Sequence, residues 1–277
     1  MRTLSRLVFE DMESSLPLPA PFFKFAATEA LFYRGAVSII AGPPGSGKTI
    51  TALNMVHNMA VPSLYVSNDS TPFTIIKRTV SMLTGVDQSA ATVVLKEAPE
   101  RASSILARLG LVQFEFSSAP SLEDVARNAE AFREKYGQYP HAIFVDILMN
   151  VEHEGVSEQN YWRLMPALKE IAQETNAAVV GFHHTSEQFK GEPCPPRSAI
   201  MGKANQLPEL IITCNMVDGN MFYAVVKNRN GKSDESGATC FPLPVDAARC
   251  QIEDVATTED ITFMEPIKAG TDEDWES

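Results

Sequence analysis

Eight consecutive residues, Gly42-Pro43-Pro44-Gly45-Ser46-Gly47-Lys48-Thr49, constrain this chain more than any other stretch. They fit G-x-x-x-x-G-K-[ST], a loop whose backbone N–H groups converge on phosphate oxygens. The glycines leave that backbone free of side-chain obstruction. Lys48 is placed to reach β and γ phosphates and Thr49 to offer its hydroxyl to Mg²⁺. A helix beginning there would aim its positive end at the anion. The motif has this meaning only between a strand and a helix, and the flanks supply both. Ala36–Ala41 is a short apolar run closed by glycine and proline, which predicts a buried strand. Thr49–Ala60 places Ala52, Leu53, Val56 and Met59 on one helical stripe.

The same alternation continues. Strands are predicted at Ser63–Ser67, Leu111–Phe116, Ala142–Val145 and Ala177–Phe182, and helices at Thr71–Leu83, Ser121–Tyr136 and Ser157–Thr175. The helix from Ser121 opens with SLED, a serine cap with an acid three residues on. After Leu207 only strands follow, at Glu209–Cys214, Met221–Arg229 and Ala238–Leu243, with VDGN and NRNG turns between them. This order predicts an α/β domain over residues 35–250, with a mostly parallel central sheet and antiparallel hairpin strands at its end. Residues 1–34 read as an N-terminal arm: Leu4, Leu7 and Val8 mark a short helix, and the prolines of LPLPAPFF disfavour regular structure.

The chain has 277 residues, of which 44% are apolar, enough for a sizeable core. Its charge of −12 is uneven. Residues 251–277 hold nine acids and one base, which accounts for −8 and marks a flexible acidic tail. The body is therefore only mildly acidic, which disfavours non-specific coating of nucleic acid but leaves room for a focused basic site. No apolar run approaches a membrane span, and acids interrupt the N-terminal apolar stretch, so neither a membrane anchor nor a secretory signal is expected. Four cysteines without a Cys-x-x-Cys pair point to a reducing cytoplasm.

A phosphate loop needs an acid for the magnesium shell at the end of a neighbouring strand, and Ala142-Ile143-Phe144-Val145-Asp146 supplies one. Asp69, after the second strand, is the candidate carboxylate for positioning an attacking water, with a helix N-cap as its plainer reading. His183 and His184 follow a strand and point to opposite faces, so they do not share an ion. His184 is either a γ-phosphate sensor or a polar strand end. Lys227 and Arg229, two apart in YAVVKNRNG, share a strand face at its exit into a turn. They are either a solvated hairpin tip or a pair of cations offered to a neighbouring molecule.

Together these segments resemble the RecA-fold ATPases and, within them, the replicative hexameric helicases of the DnaB type, over about residues 30–245. GPPGSGKT and AIFVDIL match the two nucleotide motifs. VSNDSTPFTIIKRTVSMLTG resembles the segment carrying the catalytic acid, which places Asp69 where the family usually has glutamate. YWRLMPALKEIAQETNAAVVGFHHTSE resembles the helix and strand leading to the family's sensor glutamine, a position held here by His184. KNRNGKSDESG is similar to the lysine–arginine finger hairpin, which implies that Lys227 and Arg229 act in the neighbouring subunit's site.

The resemblance implies a RecA-like core, ATP and Mg²⁺ as ligands, a hexameric ring, a phage source and residence in the host cytoplasm. The family's helical N-terminal collar is not expected here, and the arm of residues 1–34 would stand in its place. DNA would meet the loops after the Asp146 and His184 strands. The first is acidic, whereas the second, Phe189–Leu207, brings Lys190, Arg197 and Lys203 for backbone phosphates of single-stranded or forked DNA. The implied function is an ATP-dependent motor with DNA-stimulated ATPase, used in replication or recombination. Two rivals remain at this stage: an ATP-dependent recombinase or annealing filament, and a nuclease using Asp146, Glu152 and Glu154 around a divalent ion. The acidic tail would compete with DNA for the basic loop or contact a replication or recombination partner.

Overall fold

The computed structural model describes residues 16–157 and 159–254. The expected helix around Leu4, Leu7 and Val8 and the acidic residues 255–277 lie outside them. Nine strands form one sheet: β1 (Val37–Gly42), β2 (Ser63–Ser67), β3 (Val112–Glu115), β4 (Ala142–Asp146), β5 (Ala178–His184), β6 (Leu210–Val217), β7 (Asn220–Asn228), β8 (Cys240–Asp246) and β9 (Gln251–Ile252). Their order is β3-β2-β4-β5-β1-β6-β7-β8-β9. The first six in that order are parallel, and β7, β8 and β9 are antiparallel. The mostly parallel sheet with antiparallel closing strands is thus the one the sequence predicts.

Helices cover both faces, which is why β1, β2 and β4 are buried along their whole length. On one face α2 (Lys48–Met59) and α3 (Pro72–Thr84) bury Leu53, Met55, Val56, Ile75 and Met82. On the other, α6 (Leu122–Tyr136) and α7 (Leu164–Thr175) bury Leu122, Val125, Leu168 and Ile171. The SLED signal at α6 is a full capping box: Asp124 N donates to Ser121 Oγ at 3.1 Å and Ser121 N donates to Asp124 Oδ2 at 3.0 Å.

The predicted helix from Ser157 starts late. Asn160 folds its own side chain into a turn, accepting from Ser157 N at 2.5 Å and donating to Gly155 O at 2.8 Å. A 3₁₀ turn at Tyr161–Arg163 follows, and α7 begins at Leu164. Pro166 explains the start: it falls in the first turn of α7, where no intrahelical N–H is needed. In a helix from Ser157 it would be interior, at a cost of ~3 kcal/mol. Two further helices, α4 (Gln88–Glu97) and α5 (Pro99–Leu106), occupy a segment with no predicted element.

Residues on both sides of the expected domain boundaries join the same body. Leu18 N donates to Phe32 O at 2.8 Å, and a short helix α1 (Phe23–Ala27) seats Phe25 against Tyr223 and Phe241, with ring centroids 5.1 and 5.9 Å away. The aromatic residues after the prolines thus anchor the segment that the prolines keep irregular. At the other end β9 pairs with β8, and Asn54 of α2 donates to Cys250 O at 2.9 Å and accepts from Ile252 N at 3.2 Å. Asp254 Oδ2 accepts from Phe23 N at 2.5 Å, so the N-terminal segment meets the residues after β9.

Candidate active site

The carboxyl ends of β1, β2, β4 and β5 converge on one edge of the sheet, the usual ligand edge of an open α/β sheet. The phosphate loop leaves β1 there. Asp146 ends β4 in register with Ser67, just before Asp69 in the chain, and His184 of β5 lies beside Gly42. The structure thus brings Lys48, Thr49, Asp69, Asp146 and His184 together from four strands. Their mutual fields agree: Asp69 and Asp146 act on Lys48, and Lys48 and Asp69 act on His184.

The loop owes its shape to two glycines above all. Gly47 has φ +83°, and a Cβ there would come within 2.7 Å of Met221 Sδ. A Cβ on Gly42 would meet Cys214 O at 2.3 Å. Pro43 and Ser46 are buried, whereas Pro44 and Gly45 stand exposed at the crest. Lys48 is buried, and its Nζ donates to Gly42 O and Pro43 O at 2.9 Å each and to Ser46 Oγ at 3.4 Å. Burial lowers the Lys48 pKa, while Cys214, Asp146 and Asp69 favour its charge.

Asp146 is 1% exposed. Burial pushes its pKa up, against hydrogen bonds from Thr49 and Tyr65 and the charge of Lys48. Tyr65 OH donates to Oδ2 at 2.9 Å, while Oδ1 has no hydrogen-bond partner among the described residues. A buried carboxylate oxygen left over beside a threonine hydroxyl fits the hard-oxygen demands of Mg²⁺. Asn68 fixes this corner: its N donates to Asp146 O at 2.9 Å, and its side chain accepts from Ile147 N at 2.5 Å and donates to Ile147 O at 2.9 Å. Tyr65 and Asn68 were not singled out from sequence, because nothing local in one sequence marks a partner 81 or 79 residues away.

Asp69 is exposed and is not the cap of α3. That role belongs to Thr71, whose side chain accepts from Thr74 N. The two histidines do face opposite ways. His183 is fully buried, its pKa lowered to about 4 by burial, and its Nε2 lies 3.0 Å from Met201 O. His184 is half-buried, and its pKa is lowered first by burial and then by Lys48. The proposed nuclease acids do not assemble: among the described residues no group of three His, Cys, Asp or Glu could hold a metal ion.

Lys227 and Arg229 stand at the far end of the sheet. Arg229 N donates to Glu209 O and Glu209 N to Val37 O, both at 2.9 Å, so the pair sits beside the first residue of β1. The phosphate loop leaves its last residue, roughly 17 Å away at ~3.3 Å per strand residue. Arg229 is exposed. Lys227 Nζ donates to Gln206 O at 2.7 Å and Asn205 O at 3.3 Å, and burial, then Arg229 and Arg197, lower its pKa to about 8.

The three basic residues of the second loop differ. Lys190 and Lys203 are exposed on it. Arg197 is turned inward, paired with Glu235 of the β7–β8 hairpin. This loop runs the length of the sheet. It is held near the phosphate-loop edge by Asn215, which donates to Lys190 O at 2.9 Å and Glu192 O at 2.8 Å, and near the far edge by Lys227.

Residues 18–192 match the family described as DnaB-like helicase C terminal domain. The chain is 30% identical over 250 residues to the Gene 65 protein of Mycobacterium phage L5, covering 86% of this chain and 93% of that protein. It is 31% identical over 228 residues to the Gene 65 protein of Mycobacterium phage D29, covering 78% and 98%. Two solved structures share the fold. One, described as an ATPase domain, has a TM-score of 0.76 at 16% identity, covering 91% of this chain and 97% of that one. The other, a DnaB-like replicative helicase described together with its interactions with primase, has a TM-score of 0.76 at 15% identity, covering 92% and 68%.

Proposed function

The chain belongs to the DnaB-like helicase C-terminal domain family, and so to the ATP-dependent, helicase-type motors; we propose that it works on single-stranded DNA as a ring with ATP between neighbouring subunits. The observation that carries this reading is the distance between Lys227 with Arg229 and their own phosphate loop. A cation pair at the opposite sheet edge serves a phosphate site only on another copy.

The residues then divide the chemistry. The loop from Gly42 to Thr49 cradles the phosphates, with Lys48 turning its amine from loop carbonyls to phosphate oxygens. Thr49 and Asp146 would hold Mg²⁺, which when bound neutralises charge on the β and γ oxygens. Asp69 orients the attacking water and accepts its proton; its carboxylate is a methylene shorter than the family's glutamate, which slows the step. His184 hydrogen-bonds the γ-phosphate. Lys227 and Arg229 of the adjacent subunit meet the charge that develops as the phosphoryl group transfers. Lys190 and Lys203 contact DNA phosphates. Among the described residues no helix is long and apolar enough to cross a membrane.

Mass measurement with and without ATP and single-stranded DNA tests the ring, and a mixing experiment tests the shared site. Lys48→Ala and Arg229→Ala are each expected to be inactive alone. Mixed, they pair an intact loop with an intact finger at some interfaces and regain DNA-stimulated ATPase. No recovery, or a monomer under every condition, would overturn the reading.

A further inference from the structure

From the way the second loop and the finger hairpin are joined, we infer that Glu235 is a positioning residue: it locks the loop to the hairpin so that a pull on one moves the other. The inference rests on the proposed motor and adds a residue to it. The loop returns from the His184 edge to the Lys227 edge, and along its second half it is tied to the hairpin at successive points. Arg197 N donates to Glu235 O at 2.9 Å, and the Arg197 guanidinium pairs with the Glu235 carboxylate. Arg197 and Asn205 brace each other, with Arg197 Nη2 donating to Asn205 O at 3.4 Å and Asn205 Nδ2 donating to Arg197 O at 3.2 Å. Lys227 completes the joint through Asn205 O and Gln206 O. At the hairpin base, a Cβ on Gly237 would meet the carbonyl oxygens of Cys194 and Pro195 at 2.9 Å each, so the two backbones touch.

Arg197 therefore has a different task from Lys190 and Lys203. Its side chain is 25% exposed and faces the hairpin, whereas the Glu235 side chain is 71% exposed. An ion pair this wet adds little to fold stability, so breaking it leaves the domain folded. What it adds is direction. The loop's first part is seated near the phosphate site of its own subunit, and its last part near the finger that reaches the neighbour. With Glu235 in place, strain from DNA on Lys203 reaches Lys227 and Arg229. Without its carboxylate the Arg197 guanidinium loses its hold on the hairpin, and the joint keeps only its main-chain contacts and the Lys227 bonds, which transmit less of the pull.

The test uses the full chain with ATP and a single-stranded oligonucleotide. Glu235→Ala is expected to keep the DNA-free kcat, the KM for ATP and the oligonucleotide affinity within about twofold of wild type. Its stimulation by DNA is expected to fall at least fivefold, and Glu235→Asp to recover part of it. Equal stimulation in wild type and Glu235→Ala overturns the inference. So does a parallel loss of affinity and stimulation, which would make Glu235 part of DNA binding. A wild type that DNA does not stimulate overturns the proposed motor itself, and the inference with it.

Discussion

The parallel and antiparallel parts of the sheet handle their charged residues in opposite ways. At the carboxyl edge of the parallel strands Lys48 and Asp146 are 6% and 1% exposed, and loop carbonyls, Tyr65 and Thr49 supply their partners. At the far edge Arg229 stands in solvent and Lys227 is held by main-chain carbonyls rather than by an acid. One constellation draws its partners from within the chain and leaves over only Asp146 Oδ1. The other leaves Arg229 in solvent, with Glu209 and Glu235 acting on Lys227 only through their charge. Under the proposed function, the contrast teaches where the molecular boundary of the active unit lies: between copies.

The largest expected effect tests the exposed half. Arg229→Ala should lower DNA-stimulated kcat by about 10³-fold while nucleotide binding survives, because its charge is needed only as the phosphoryl group transfers. Nucleotide affinity falling in step with kcat would move Arg229 into ground-state binding and blur the contrast.

A second test asks what holds that half in place. Phe25 is fully buried beneath β7 and β8, against Tyr223 and Phe241. Phe25→Ala should destabilise the fold by about 3–5 kcal/mol in urea unfolding. A loss under about 1 kcal/mol would mean that the N-terminal segment decorates the antiparallel strands rather than supporting them.

A smaller effect reads Lys227 by pH. Burial, Arg229 and Arg197 bring the Lys227 pKa from 10.5 to about 8. The cation is present below that value and lost above it, so kcat/KM should decline as pH rises past about 8, by roughly tenfold at about pH 9. Lys227→Arg should remove that limb. Stability moves the other way: between 8 and 10.5 the unfolded chain holds a proton that the folded chain has released, so folding is favoured as pH rises through this window. A kcat/KM limb that persists in Lys227→Arg would assign the titration to another group.

Much of this was legible in sequence, for identifiable reasons. The phosphate loop, Asp146 and the paired cations are local patterns, and buried parallel strands read as continuous apolar runs. The helices α4 and α5 escaped because they are short and each fully buries only one small residue, Ala91 or Ala102, so neither is tied to the core by a run of large apolar side chains. The start of α7 was written in Pro166, a signal that outweighs the periodicity of residues 157–163. Arg197 reads as a DNA contact in its loop, and only the fold reveals a partner 38 residues away. Tyr65 behind Asp146 was hidden for the same reason.

The bond between Phe23 and Asp254 ties the N-terminal segment to the residues that follow the last strand. Trimming the chain past Phe23, or short of Asp254, would remove this bond and loosen the N-terminal segment where it meets the residues after β9.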